Sequence, residues 1–209
     1  MNKHFSFLLL IGLLGLTACN NGAQQETSSV RETPAQTPDA PAGDYDKYEL
    51  TELPGTSLRK AVLRNPAGRL IEQGYLDEKG LKTGEWLAFY ENSGLPYKLI
   101  TYRAGVQNGL YIFFNEIGQV SLLATYADNQ LDGYWVKYRF GRIEEEAEYL
   151  KGQMHGTHRQ YFVREGWLQF STEYKNGVRH GMNRTYNKEG KVTLEYEFKD
   201  GQKVSGGMK

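Results

Sequence analysis

The stretch Gly84-Glu85-Trp86-Leu87-Ala88-Phe89-Tyr90-Glu91-Asn92-Ser93-Gly94 decides how the chain is read, because its landmarks return four more times. An opening glycine stands at Gly84, Gly109, Gly133, Gly156 and Gly181. A second, turn glycine stands at Gly94, Gly118, Gly141, Gly166 and Gly190. Eight residues after each turn glycine comes an aromatic: Tyr102, Tyr126, Tyr149, Tyr174 and Phe198. Seven residues further lies the next opening position, filled by Ser205 at the last. Only the distance from opening to turn glycine varies, as 10, 9, 8, 10 and 9 residues. A unit of about 24 residues with one adjustable turn and a fixed spine predicts successive β-hairpins.

The pattern inside a unit has the period of a strand. At offsets two, four, six and eight after the turn glycine stand Leu168, Phe170, Thr172 and Tyr174, or Val192, Leu194, Tyr196 and Phe198. The residues between are largely polar, as in Gln169, Ser171 and Glu173. Alternation at period two puts the two sets on opposite faces, with all four offsets expected on one face. The preceding segment, Tyr134-Trp135-Val136-Lys137-Tyr138 in its plainest copy, is aromatic and β-branched, which suits a pleated surface. The other connection carries Gly80, Gly105, Gly152, Gly177 or Gly201, four residues before the next opening position. Asn129 takes that place in the second unit, and asparagine is the residue that best tolerates the left-handed conformation after glycine. The opening glycines are also expected at backbone turns where φ is positive.

The run Gly84-Glu85-Trp86-x-x-Phe89-Tyr90-Glu91-Asn92-x-Gly94, followed by Tyr102-x-x-Gly105-x-x-x-Gly109, resembles the MORN-repeat variant family, whose members are often labelled YwqK-type antitoxins. The resemblance covers roughly residues 56–205, most clearly 84–201. It implies an all-β fold: an elongated antiparallel sheet of successive hairpins. It also implies a non-enzymatic scaffold or partner-binding surface, and the antitoxin label implies a toxin as partner. The chain departs from the pattern at its end, where Trp86, Tyr111 and Trp135 give way to His158 and Asn183 at the same offset.

The N-terminus carries a separate signal. Lys3 precedes an apolar run from Phe5 to Leu16, too short to span a bilayer as a stable helix. It ends in Leu16-Thr17-Ala18-Cys19, which resembles a bacterial lipobox. Residues 1–18 are therefore expected to be a lipoprotein signal peptide, with Cys19 lipidated. Cys19 is the one cysteine of the 209 residues, so no disulfide can form within the chain. Asn20 follows it, where an aspartate often retains enterobacterial lipoproteins in the inner membrane; by resemblance, the expected location is the outer membrane facing the periplasm. Residues 19–44 hold Pro34, Pro38 and Pro41 among polar residues and read as a disordered tether, with a reach on the order of 25–30 Å. Residues 45–83 read as a degenerate capping repeat in which Tyr75 echoes the aromatic position, 84–205 as five repeats and 206–209 as a tail.

Composition excludes some functions. Net charge is zero and mean hydropathy is −0.62, which argues against nucleic-acid binding. There is no Gly-x-Ser-x-Gly, no phosphate-binding glycine loop and no His-Glu-x-x-His, so no enzyme and no cofactor are expected. His155 and His180 hold the same slot in adjacent units, roughly 9–10 Å apart, too far for one metal ion. Two candidate binding surfaces follow. Trp86, Tyr111 and Trp135 form one aromatic row, of opposite parity to Phe89, Phe114, Tyr138, Tyr161 and Tyr186. Arg159 and Arg184 share an offset and should line up, in a segment (156–209) with six acidic and ten basic residues. The expected function is a membrane-anchored protein-binding module; the alternative is an envelope scaffold using the tryptophan row as a glycan platform.

Overall fold

The computed structural model describes residues 45–209. The described residues form one open antiparallel sheet of 15 strands and no helix. Strands follow one another in chain order: β1 (Glu49–Glu52), β2 (Arg59–Arg64), β3 (Leu70–Leu76), β4 (Lys82–Phe89), β5 (Pro96–Arg103), β6 (Val106–Phe114) and β7 (Val120–Ala127). Then come β8 (Gln130–Arg139), β9 (Arg142–Leu150), the two-residue β10 (Gln153–Met154), β11 (Gly156–Tyr161), β12 (Leu168–Lys175), β13 (Val178–Tyr186), β14 (Val192–Lys199) and β15 (Gln202–Met208). β10 and β11 both pair with β9 and together fill the place of one strand. β15 runs to Met208, so residues 206–208 extend the last strand instead of forming a tail.

Two rims bound the sheet. One carries, after the 53–58 and 77–81 connections, a series of two-residue turns: Ala104-Gly105, Asp128-Asn129, Lys151-Gly152, Asn176-Gly177 and Asp200-Gly201, every residue at positive φ. These are the mirror-image turns whose twist matches that of the flanking strands. Asn129, at φ 63°, takes the left-handed conformation its slot predicts. The opposite rim carries longer loops and one two-residue turn, Phe140-Gly141. Asn65, Asn115 and Asn187 each accept two backbone N–H groups through Oδ1, a side-chain mimic of a turn.

The opening glycines lie in strands, not in turns. Tyr126 pairs with Leu131 and Ala124 with Trp135, so two steps on β7 face four on β8. Gly133 sits in that bulge at φ 96°, and a Cβ there would stand 2.5 Å from Thr125 Oγ1. A second bulge follows each turn glycine by three residues, at Tyr97, Ser121, Glu144, Gln169 and Thr193. It changes the parity expected for the alternation. Ile143, at offset two, pairs with Tyr138, whereas Glu145 pairs with Lys137 and falls on the other face.

The core is a single transverse row on what we call the tryptophan face. Register runs it through Ala61 and Gly74, then Trp86, Ile100, Tyr111, Ala124, Trp135 and Ala147. Large rings on even strands alternate with smaller residues on odd ones. Gly74 is the extreme case: a Cβ there would meet the Trp86 ring at 2.2 Å. Beside this row, Tyr102, Tyr126 and Leu131 are buried. Leu76, fully buried, takes the Tyr102 slot in the first unit; Tyr75 points to the other face and is exposed. A thin sheet thus buries one face by letting each ring lean over the small neighbour beside it.

Candidate functional site

The structure brings Trp86, Tyr111 and Trp135 together on one face, as their spacing predicts. It does not leave them equally available. Trp86 is only 3% exposed. Its indole Nε1 donates to the Tyr75 carbonyl at 3.0 Å, the Lys82 ammonium lies 4.3 Å above its ring, and Tyr48 packs edge-on at 5.7 Å. Tyr48 is held there by donating to Glu72 at 2.6 Å, and Lys82 donates to the same carboxylate at 3.3 Å. The segment before β1 therefore lies over Trp86, which is a core residue and not a contact residue. Tyr111 and Trp135 are half-buried against Ala124, Tyr126 and Leu131. The expected platform of three rings is reduced to two.

Arg159 and Arg184 do line up, joined through Ser171, which pairs with both. They are not a free basic patch. Arg159 donates to Glu146 at 3.1 Å and Arg184 to Glu195 at 2.8 Å. The hydrogen bond from Arg184 holds the Glu195 carboxyl below the usual carboxylate range, with Lys209 adding to the effect, and Arg184 itself is raised. Tyr161 donates to Glu146 at 2.8 Å; burial, then this bond and the nearby charge, push its phenol up to about 12. The glutamates of neighbouring strands thus neutralise both arginines.

The histidines are divided among different partners. His158 contacts Glu145 at 2.6 Å on the tryptophan face, His155 contacts Asn176 at 3.3 Å and His180 contacts Asp200 at 3.3 Å. Among the described residues no three His, Cys, Asp or Glu side chains are placed to hold a metal ion. Cys19 and the expected signal peptide and tether lie outside the described residues.

Sequence reasoning missed two surfaces. The first is the long-loop rim. Ile117 is 73% exposed, Phe140 79% and Phe162 39%, each at the tip of a successive hairpin. The rim is laced together. Arg69 Nη1 donates to the Glu91 carbonyl at 2.9 Å, Tyr90 Oη to the Phe114 carbonyl at 2.8 Å, and Arg142 Nη1 to the Arg164 carbonyl. Phe140 is the anomaly. It occupies the first position of a two-residue turn at φ 54°, where a bulky side chain is strained and where asparagine, aspartate or glycine is the usual choice. The signal was present in Arg139-Phe140-Gly141-Arg142: a phenylalanine stands in a slot that other short turns fill with Ala104, Asp128, Lys151, Asn176 or Asp200.

The second missed surface is the aliphatic face, opposite the tryptophans. Its central row runs Leu87, Leu99, Ile112, Leu123, Val136, each paired with the next. All five are half-buried. The row then turns polar through Glu146, Arg159, Ser171, Arg184 and Glu195.

No family model matches the chain, and no curated protein matches it. Among solved structures, TarM matches at 12% identity over 53% of this chain, with a TM-score of 0.33. A mutant of S. aureus TarM in complex with fondaparinux, alpha-GlcNAc-glycerol and UDP matches at 9% identity over 65% of this chain, with a TM-score of 0.29. This chain spans 21% of the length of each. At these scores the likeness carries no functional argument.

Proposed function

We propose that this protein is a lipid-anchored, non-enzymatic repeat module of the bacterial cell envelope that binds another protein through its long-loop rim. One observation carries the reading: Phe140 is a bulky aromatic held exposed and left-handed on a hydrogen-bonded rim. A left-handed conformation costs a non-glycine residue on the order of 1 kcal/mol, and the exposed ring returns no packing to its own domain. Conformational strain at an ordered, exposed apolar tip is what a contact residue looks like. Ile117 and Phe162 on the flanking tips extend the contact. By the resemblance to YwqK-type proteins, the partner class is a toxin and the role that of an antitoxin or immunity protein. The glycan reading is weaker, because burial of Trp86 removes the first ring of the stacking platform.

A photo-reactive amino acid at Phe140, in the full chain in its own cells, tests the rim. It should give an adduct with a protein of different mass, and the same group at Trp86 should give none. Phe140→Asn should abolish co-purification of that partner while raising the melting midpoint, since Asn-Gly suits this turn. No adduct at Phe140, or unchanged capture by Phe140→Asn, contradicts the reading. The anchor is tested separately: Cys19→Ser should lose incorporation of a fatty-acid analogue, and persistent label would contradict lipidation.

A further inference from the structure

The aliphatic face has no cover among the described residues. The strands make their substantial contacts only with hydrogen-bonded neighbours, and no described element packs across that face. Its apolar part spans β4 to β9. Beside the central row lies a second row toward the long-loop rim: Phe89, Pro96, Phe114, Val120, Tyr138, Ile143, each paired with its neighbour across a hairpin. Leu110 and Tyr134, both exposed, flank the central row on the other side. A sheet with an apolar face is stable when that face meets a second layer.

We propose that the second layer is a second copy of this chain, packed face to face about a two-fold axis that runs parallel to the strands between β6 and β7. The inference goes beyond the rim reading and uses none of its residues. Two observations support it. The first is a size alternation with the period of the hairpin. Large rings stand on the even strands (Phe89, Phe114, Tyr138) and smaller residues on the odd ones (Pro96, Val120, Ile143). A two-fold between β6 and β7 exchanges even with odd strands. It sets Phe114 over Val120 of the second copy, Tyr138 over Pro96 and Phe89 over Ile143, so each ring meets a smaller side chain. In the central row it sets Ile112 over Leu123 and Leu99 over Val136. The alternation is a property of the repeat, continued by Tyr161–Leu168 and Tyr186–Val192, so a second copy carries the matching register by construction.

The central row is aliphatic as far as Val136, and on β9 its place is taken by Glu146, which Arg159 neutralises. The same two-fold sets Leu87 over this ion pair, at the edge of the contact. The second observation is size. Six strands at about 4.8 Å, and about 14 Å along each, give roughly 400 Å² in projection. Side-chain relief raises the accessible area to on the order of 600–800 Å² per copy, close to the roughly 800 Å² of a standard interface.

The test uses the full chain in detergent solution. Sedimentation should give twice the protomer mass. Val120→Phe should set ring against ring and weaken self-association at least tenfold. Adding Phe114→Val to the same chain should restore it, because the size alternation is then only inverted at that contact. Both side chains are half-buried on the open face, and circular dichroism should report the same sheet for both variants. Photo-reactive groups at Ile112 and Leu123 should join two differently tagged copies in cells. A monomer throughout, a Val120→Phe variant that associates as before, failure of Phe114→Val to rescue, or adducts at Ile112 and Leu123 with a different protein alone would each overturn the proposal. None of these outcomes bears on the adduct at Phe140, so the two readings fail separately.

Discussion

The two halves of the sheet share a backbone and differ in what fills it. From β4 to β9 the central row of the tryptophan face is Trp86, Ile100, Tyr111, Ala124, Trp135, Ala147, and four of these six are buried. Past β9 the same row reads His158, Thr172, Asn183, Tyr196. There His158 meets Glu145, and Asn183 donates to Thr172 at 2.6 Å. The opposite face makes the same change, from five aliphatic residues to Glu146, Arg159, Ser171, Arg184 and Glu195. Turns and bulges do not change. Gly133 and Gly181 sit at φ 96° and 94°, and the short turns keep one geometry in both halves. The spine of glycines therefore sets the path of the chain, and the rows that lie on it are interchangeable between apolar packing and hydrogen-bonded polar pairs.

The sharpest way to break this comparison is at Gly74. Gly74→Val would place atoms inside the Trp86 ring and expel it, costing about 3–5 kcal/mol, as a lost large core aromatic does. Chemical unfolding should show the first half destabilised; a stable variant would mean that Trp86 does not anchor the row. Truncation within the rows should come next, and should differ between halves. Trp135→Ala is expected to cost about 2–3 kcal/mol and Asn183→Ala about 1 kcal/mol, since the latter loses one neutral hydrogen bond. Gly207→Val should be nearly silent, because a Cβ at Gly207 meets nothing within 4 Å.

The smallest effect is the pH dependence that Tyr161 contributes in the second half. The folded Tyr161 phenol is raised from 10.0 to about 12. Below pH 10 both folded and unfolded forms keep the proton. Between about 10 and about 12 the unfolded chain releases it first, so the stability linked to keeping this phenol protonated, by burial first and the bond to Glu146 second, is lost as pH rises through that window. Tyr161→Phe should flatten the midpoint over this range, leaving a slope from Tyr97, Tyr126 and Tyr149, which burial also raises. An unchanged profile would show that the fold does not hold the Tyr161 phenol in its protonated form.

Much of the fold was legible because it rests on local conformation. Positive φ restricts a slot to glycine, or to a residue such as Asn129, and so leaves a mark in the letters. The bulges left no such mark. Glu144, Gln169 and Thr193 are chemically ordinary, and only the register shows that the strand gains a residue there, which is why offset two falls on the face opposite to the one expected for all four offsets. Trp86 was misread for a related reason. What buries it, Gly74 and Tyr48, lies in the degenerate first unit, outside the repeat that made Trp86 visible. The arginines aligned as their offset requires, but their partners Glu146 and Glu195 come from neighbouring strands whose bulged register was not foreseen.

The most direct measurement is hydrogen exchange, hairpin by hairpin, on four variants: Gly133→Val, Gly181→Val, Trp135→Ala and Asn183→Ala. Each reports the stability of its own unit and its neighbours, since contacts in a repeat array are local. If the spine sets the fold and the rows are interchangeable, the two glycine variants should lose similar stability, about 1–3 kcal/mol each. Trp135→Ala should then exceed Asn183→Ala by at least about 1 kcal/mol. Glycine costs that differ between the halves as much as the row costs do, with Gly181→Val nearly free, would contradict the account.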